Sequence, residues 1–142
     1  LQDEHTICGL GDAGAHVATI CDVSYPTFLL THWGRDRKRG NGLPLEHLVS
    51  KQTLKTARAF GLYDRGILAP GYRADINMVD FATLSVARPE LVYDLPAGGR
   101  RFIQRAIGYE HTFVGGVEVL HQGEHTGALP GELIRGSQRS PV

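Results

Sequence analysis

The spacing of the apolar residues changes once along this chain, and the change falls at Gly61. Before it, apolar side chains recur at three- and four-residue intervals, as one face of a helix requires. After it they alternate in short runs broken by glycine and proline, as strands and tight turns require. Such a chain carries a helical part and a β part, and these form two unlike layers or two part-domains. The division near Gly61 gives parts 1–60 and 61–142. Eighteen glycines in 142 residues is nearly double the usual share of ~7%, so the chain turns often and tightly.

In the first part, residues 5–10 read as a short buried strand and residues 11–16 as the loop that follows it. A helix is expected after Ser24, which can cap free backbone N–H groups, with Pro26 in the first turn. Tyr25, Phe28, Leu29, His32 and Trp33 would share its inner face, and Gly40 would end it. A second helix follows Pro44, with Leu45, Leu48, Val49, Gln52, Thr53 and Ala57 as its inner stripe and Gly61 as its stop. The second part reads as turns around Ile67 and Leu68, then a strand over 74–81 with Ile76, Met78 and Asp80 on one face. An irregular excursion containing Pro89 and Pro96 is expected over 82–97. Gly115-Gly116 sits between two β-prone runs and predicts a tight hairpin over 111–120, with Val114, Val117 and Val119 on one face. The tail from 127 to 142 is expected to wrap the surface or fray.

Fifteen basic and fifteen acidic side chains cancel, which argues against nucleic acid or an anionic membrane as the main partner. The basic run over 35–39 reads as a solvated helix end complementing the helix dipole. Cys8 and Cys21 are expected as buried thiols in a reducing compartment, hence a cytoplasmic protein. No run is long and apolar enough to cross a membrane, and no charged-then-apolar leader opens the chain. The chain begins at Leu1, as a processed or excised piece would.

Asp12 is the candidate for chemistry. It follows a predicted strand and stands among Gly11, Ala13 and Gly14, small residues that leave room for a ligand beside a carboxylate. The same pattern also describes an ordinary turn in which the aspartate bonds nearby backbone N–H groups. His16 can reach the same pocket, or can be a hydrogen-bonded loop histidine. His121 and His125 have the spacing of a helical zinc pair, but Gly123 and the hairpin context argue against a helix there, and no metal role is assigned. His32 reads as core or interface, and Asp64–Arg65 as a turn ion pair of small weight. No phosphate loop, paired Cys-x-x-Cys or nucleophile elbow is present. The chain thus offers one acid or base and no complete catalytic set.

Residues 9–16 (GLGDAGAH) resemble the loop after the eighth barrel strand of the amidohydrolase superfamily, within it the D-aminoacylase branch, the N-acyl-D-amino-acid deacylases. Residues 66–80 (GILAPGYRADINMVD) resemble the passage where those chains leave the barrel for a small β-sandwich. Residues 113–119 (FVGGVEV), Gly123 and residues 126–131 (TGALPG) resemble their closing hairpin and tail. Three anchors in the expected order span nearly the whole chain.

The resemblance implies an α+β fragment: the last strand and helices of a (β/α)8 barrel over 1–60, then the C-terminal strands of the family's β-sandwich over 61–142. It implies a parent enzyme that hydrolyses an amide C–N bond of a small acylated amine with zinc. Asp12 matches the aspartate that carries a proton from water to the leaving amine, and His16 is placed with the substrate. The family's metal-binding histidines come from earlier strands, so no zinc is expected on this chain, which alone would be inactive. One departure stands out. The deacylases carry a substrate-clamping arginine after this aspartate, whereas residues 13–34 contain no Arg or Lys. Either the clamp comes from elsewhere or the substrate is not an N-acyl-D-amino acid. Unpaired apolar faces predict a homo-oligomer. A non-catalytic, self-associating assembly module is the alternative function.

Overall fold

The structure, a computed structural model, describes residues 1–9, 11, 14, 18 and 21–141. The first helix opens where Pro26 allows it: α1 covers Tyr25–Phe28 and runs directly into a π-helical segment, Leu29–Asp36. Ser24 does not cap it; its hydroxyl instead donates to Gln104 Oε1 on the β part. The Thr31 hydroxyl donates to the carbonyls of Thr27 (3.1 Å) and Phe28 (3.4 Å). A side chain that bonds back into the ladder in this way loosens and widens a helical turn. The inner face is changed accordingly. Thr27, Leu29 and Thr31 are buried, while Phe28 is 49% exposed and stacks on His32 at 4.8 Å. The expected stripe of Tyr25, Phe28, Leu29, His32 and Trp33 assumed a regular 3.6-residue turn, which this segment does not keep.

The second helix is two helices. α2 covers Leu45–Gln52 and α3 covers Leu54–Ala59, broken at Thr53, whose φ of −117° and ψ of −90° are not helical. The loop after Gly61 presses on the break, since a Cβ at Gly66 would lie 2.8 Å from Leu54 Cα. Gly66 also holds φ at +94°, a conformation glycine adopts without strain. Leu48 and Ala57 are buried as expected, but Val49 is exposed and Lys51, on no expected inner face, is fully buried.

The β part consists of β1 (Ile76–Val79), β2 (Ser85–Val86), β3 (Glu90–Leu95), β4 (Gly99–Ile103), β5 (Ala106–Ile107), β6 (Tyr109–Val114), β7 (Val117–His121) and β8 (Glu124–His125). An antiparallel sheet has the order β1-β6-β7-β8, and β2–β5 and β3–β4 form two further antiparallel pairs. The stretch 82–97 is therefore not irregular. Pro89 and Pro96 bound β3 rather than interrupt it, and its partner lies beyond the Pro96–Gly98 turn. β1 is shorter than expected. Asp80 ends it by accepting bonds from Ala82 N (3.0 Å) and Thr83 Oγ1 (2.8 Å), and Met78 is exposed.

The Gly115-Gly116 hairpin forms as predicted, with φ of +57° and +81° at its two glycines and Val114 opposite Val117. Phe113 pairs with Glu118 but Thr112 pairs with Leu120, so Val119 is the extra residue of a bulge.

Polar contacts join the two parts. The Arg35 guanidinium donates to the carbonyls of Phe81, Ala82 and Leu84 and pairs with Asp36. Arg37 lies over the Trp33 ring at 4.1 Å. The basic run is thus a clamp as well as a solvated helix end, because its first arginine meets the carbonyls of the turn after β1. Thr27 Oγ1 shares a 2.9 Å hydrogen bond with Tyr109 OH. Asp64–Arg65 also exceeds a lone turn pair. Arg65 and Arg73 both reach Asp75, which accepts the Gly115 N–H at 2.8 Å, tying this turn to the hairpin. The tail returns to the boundary: Leu62 and Gln138 form a parallel bridge, with Gln138 N donating to Gly61 O at 2.8 Å.

The described apolar core is small, made of Leu29, Leu43, Leu48, Ala57 and Leu84. Residues 5–9 are not paired as a strand, and Leu10 lies outside the described residues. A barrel strand needs ladder partners at its sides, and the described residues supply none. Cys8 and Cys21 are both free thiols and half-buried rather than buried. Among the described residues, no helix is long and apolar enough to cross a membrane.

Candidate active-site loop and a histidine–glutamate cluster

The segment leading into the candidate loop is anchored from inside. Asp3 Oδ1 accepts the His5 N–H at 2.8 Å, and the Thr6 hydroxyl donates to Asp3 O at 3.0 Å, forming a local turn. The Lys51 ammonium sits beneath that turn. It donates to Asp3 O (2.9 Å), Thr6 O (2.7 Å) and Thr6 Oγ1 (2.8 Å), which uses all three of its protons. Lysine is rarely buried without partners. Here the partners are backbone and hydroxyl oxygens, so the residue acts as an internal fastener between α2 and residues 3–6.

The far side of the loop is also held. A Cβ at Gly11 would lie 2.7 Å from Asp22 O and 3.0 Å from both Val23 Cα and Tyr25 Cδ1. The position before Asp12 must therefore be glycine, because the chain entering α1 passes against it. Gly14, by contrast, has φ of +110° and nothing within 4 Å of a built Cβ. Asp12 and His16 themselves lie outside the described residues.

The sequence reading missed a second group of chemistry-bearing residues. His111 on β6 and His121 on β7 are cross-strand partners, with ring centroids 4.8 Å apart. Both Nδ1 atoms converge on one oxygen of Glu118, at 2.7 Å from His111 and 3.0 Å from His121. Glu118 and His121 are three residues apart and would face opposite sides of a regular strand; the bulge at Val119 brings them to the same side. His125 takes no part, since its Nδ1 accepts the Gly127 N–H at 2.8 Å. The visible signal was therefore His121 with His125, but the pairing that forms is His121 with His111.

These bonds hold the Glu118 carboxyl below the usual carboxylate range, with His111 the larger cause and His121 the second. A carboxylate depressed in this way contributes stability above its unfolded pKa of about 4.3, and that contribution is lost as pH falls through the lower folded value. Urea denaturation should therefore show wild-type stability declining more steeply below about pH 4.3 than that of Glu118→Gln. Parallel declines would sink the assignment.

The profile described as "Amidohydrolase family" matches residues 1–120. N-acyl-D-glutamate deacylase of Alcaligenes xylosoxydans xylosoxydans is 34% identical over 136 residues, covering 93% of this chain and 25% of that protein. D-aminoacylase of the same organism is 35% identical over 107 residues, 75% of this chain and 19% of that one. An adenine deaminase of Sinorhizobium fredii is 47% identical over 49 residues, 34% of this chain and 8% of that one. Among solved structures, a crystal structure of D-aminoacylase superposes with a TM-score of 0.55 at 33% identity, covering 72% of this chain and 19% of that one. The chain thus spans a quarter or less of the length of each of these relatives.

Proposed function

The chain belongs to the amidohydrolase family, and from that premise we propose that it is the C-terminal part of a metal-dependent enzyme hydrolysing the amide C–N bond of a small acylated amine. In this reading residues 1–60 complete a (β/α)8 barrel and residues 61–142 supply strands of its β-sandwich. The observation that carries it is the match over residues 1–120, which includes the loop with Asp12. The Asp12 carboxylate accepts a proton from the attacking water and delivers it to the amine nitrogen as the C–N bond breaks, which returns the carboxylate to its charged form. His16 lies four residues further along the same loop and contacts the substrate.

The flanking described residues offer no donor set for the family's zinc. The one grouping of three donors among the described residues is on the β6–β7 hairpin. The family's metal-binding histidines come from earlier strands, so in this reading the hydrolytic metal is held by residues outside these 142 and the isolated chain is inactive. The measurement that tests the assignment is turnover of acylated amines by the full-length protein with and without Asp12→Asn. Activity near wild type in the variant would overturn it.

A second reading, a self-associating assembly module, is favoured by the exposed surface. Leu68, Leu129, Leu133 and Phe60 are 82%, 85%, 77% and 69% exposed. The accessible surface of 9936 Å² exceeds the roughly 7,200 Å² that size scaling gives a compact monomer of 15.5 kDa. Such apolar surface is covered either by the rest of the enzyme or by a second copy of the chain. Light scattering on the purified chain should give a dimer or larger species, whereas a mass of 15.5 kDa would rule out self-association. The charge balance argues against nucleic acid or an anionic membrane as the main partner.

A further inference from the structure

We propose that His111, Glu118 and His121 form a binding site for one divalent transition-metal ion of the zinc type. Strand register carries the argument. The His111–His121 cross-strand pair places two imidazoles on one face of the sheet, and the Val119 bulge turns Glu118 onto that face with them. Their donor atoms lie within 4.8 Å of one another. Both ring Nδ1 atoms already point at the same carboxylate oxygen. Phe113 stacks beside His111 at 6.0 Å and limits how far that ring can swing.

The fit to an ion is close. In a tetrahedral zinc site with ligands at about 2.0–2.2 Å, the donor atoms stand roughly 3.3 Å apart. The two separations to Glu118, 2.7 and 3.0 Å, need to open by roughly 0.3–0.6 Å, while the third, between the rings, lies within the cluster's 4.8 Å span and closes as the rings turn onto one ion. Two imidazoles and a carboxylate also form a donor set used in zinc enzymes, with the fourth position left to water. Such donors favour zinc, copper or nickel, whereas magnesium and calcium prefer oxygen. Side-chain exposures of 30% for His111, 34% for Glu118 and 55% for His121 leave the site open to a cation. On binding, each Nδ1 exchanges its hydrogen bond to Glu118 for a bond to the metal, and the ring proton resides on Nε2.

Titration of the purified protein with zinc chloride, followed by calorimetry, tests this. His111→Ala and His121→Ala should each weaken the hairpin's zinc binding by more than about 100-fold, beyond the 10–100-fold typical of losing a partner that only orients a ligand. His125→Ala should leave it unchanged, and magnesium chloride should give no comparable heat. Wild-type affinity in both alanine variants, or no zinc uptake assigned to the hairpin, would overturn the site. Should the variants fail to fold, cobalt added to the wild-type protein decides the matter by NMR. Paramagnetic broadening of the His111 and His121 ring signals supports the site, and broadening confined to other residues overturns it.

Discussion

Asp12→Asn in the full-length enzyme should lower turnover by about 10²–10⁴-fold, the range a positioned general acid–base group supplies, while leaving the denaturation midpoint unchanged. Asparagine preserves the size of the side chain and can still accept hydrogen bonds, but its amide cannot take up and return a proton near neutral pH. The fall should appear in kcat and in kcat/KM together, because proton transfer belongs to the transition state and not to substrate binding. A rise in KM at unchanged kcat would make Asp12 a binding residue instead. A substitution at Gly11 would not provide the same test, since any Cβ there meets the backbone of Asp22 and Val23 and would displace the loop.

Lys51→Met should destabilise the protein by about 2 kcal/mol: an acceptor left without a donor costs roughly 1–3 kcal/mol, and Thr6 O loses its donor while Asp3 O keeps the bond from the Thr6 hydroxyl. Methionine has a similar length and needs no polar partner, so the volume stays filled while the carbonyls of Asp3 and Thr6 and the Thr6 hydroxyl oxygen lose the ammonium. Thr6→Ala removes one of those acceptors together with the hydroxyl's own bond to Asp3, and should cost about 1 kcal/mol. Urea denaturation of the two variants checks both values. A loss below about 0.5 kcal/mol for Lys51→Met would match an ordinary surface substitution and sink the fastener role. Because the fastened turn leads into the Asp12 loop, the same variant should also reduce activity at temperatures where it remains folded.

Local signals in the sequence proved dependable. Pro26 and Pro44 marked helix starts, Gly61 marked a stop, and Gly115-Gly116 marked a hairpin, although the bulge at Val119 breaks the expected face of Val114, Val117 and Val119. Each depends on the backbone freedom of one or two residues, which the residue type alone decides. The errors share a different cause. The stretch 82–97 read as irregular because β2 and β3 pair with segments further along, and pairing is not visible in one strand's own composition. Lys51 stands outside the expected inner stripe because its partners lie 45 and 48 residues away. The widened turn at Thr31 depended on whether a hydroxyl would bond back into its own helix, which helical spacing does not encode.

The site divides in the same way. Asp12 drew attention through its small neighbours and through family resemblance, and of those neighbours Gly11 owes its identity to a close approach by residues 22–25. The cluster at His111, Glu118 and His121 was not visible, since a spacing of three means opposite faces in a regular strand and only the bulge at Val119 reverses that.

The bridge between Leu62 and Gln138 fixes where the intervening chain departs and where it returns, and the two points are neighbours. Between them the β part is attached to the helices again at Phe81, Ala82 and Leu84 through Arg35, at Gln104 through Ser24 and at Tyr109 through Thr27. The β3–β4 pair lies between the attachments at Leu84 and Gln104 and could be lengthened or shortened without moving any of them. Such an arrangement lets that pair vary as a cassette, while residues 3–6 stay tied to α2 through Lys51 and Gly11 stays against the chain entering α1.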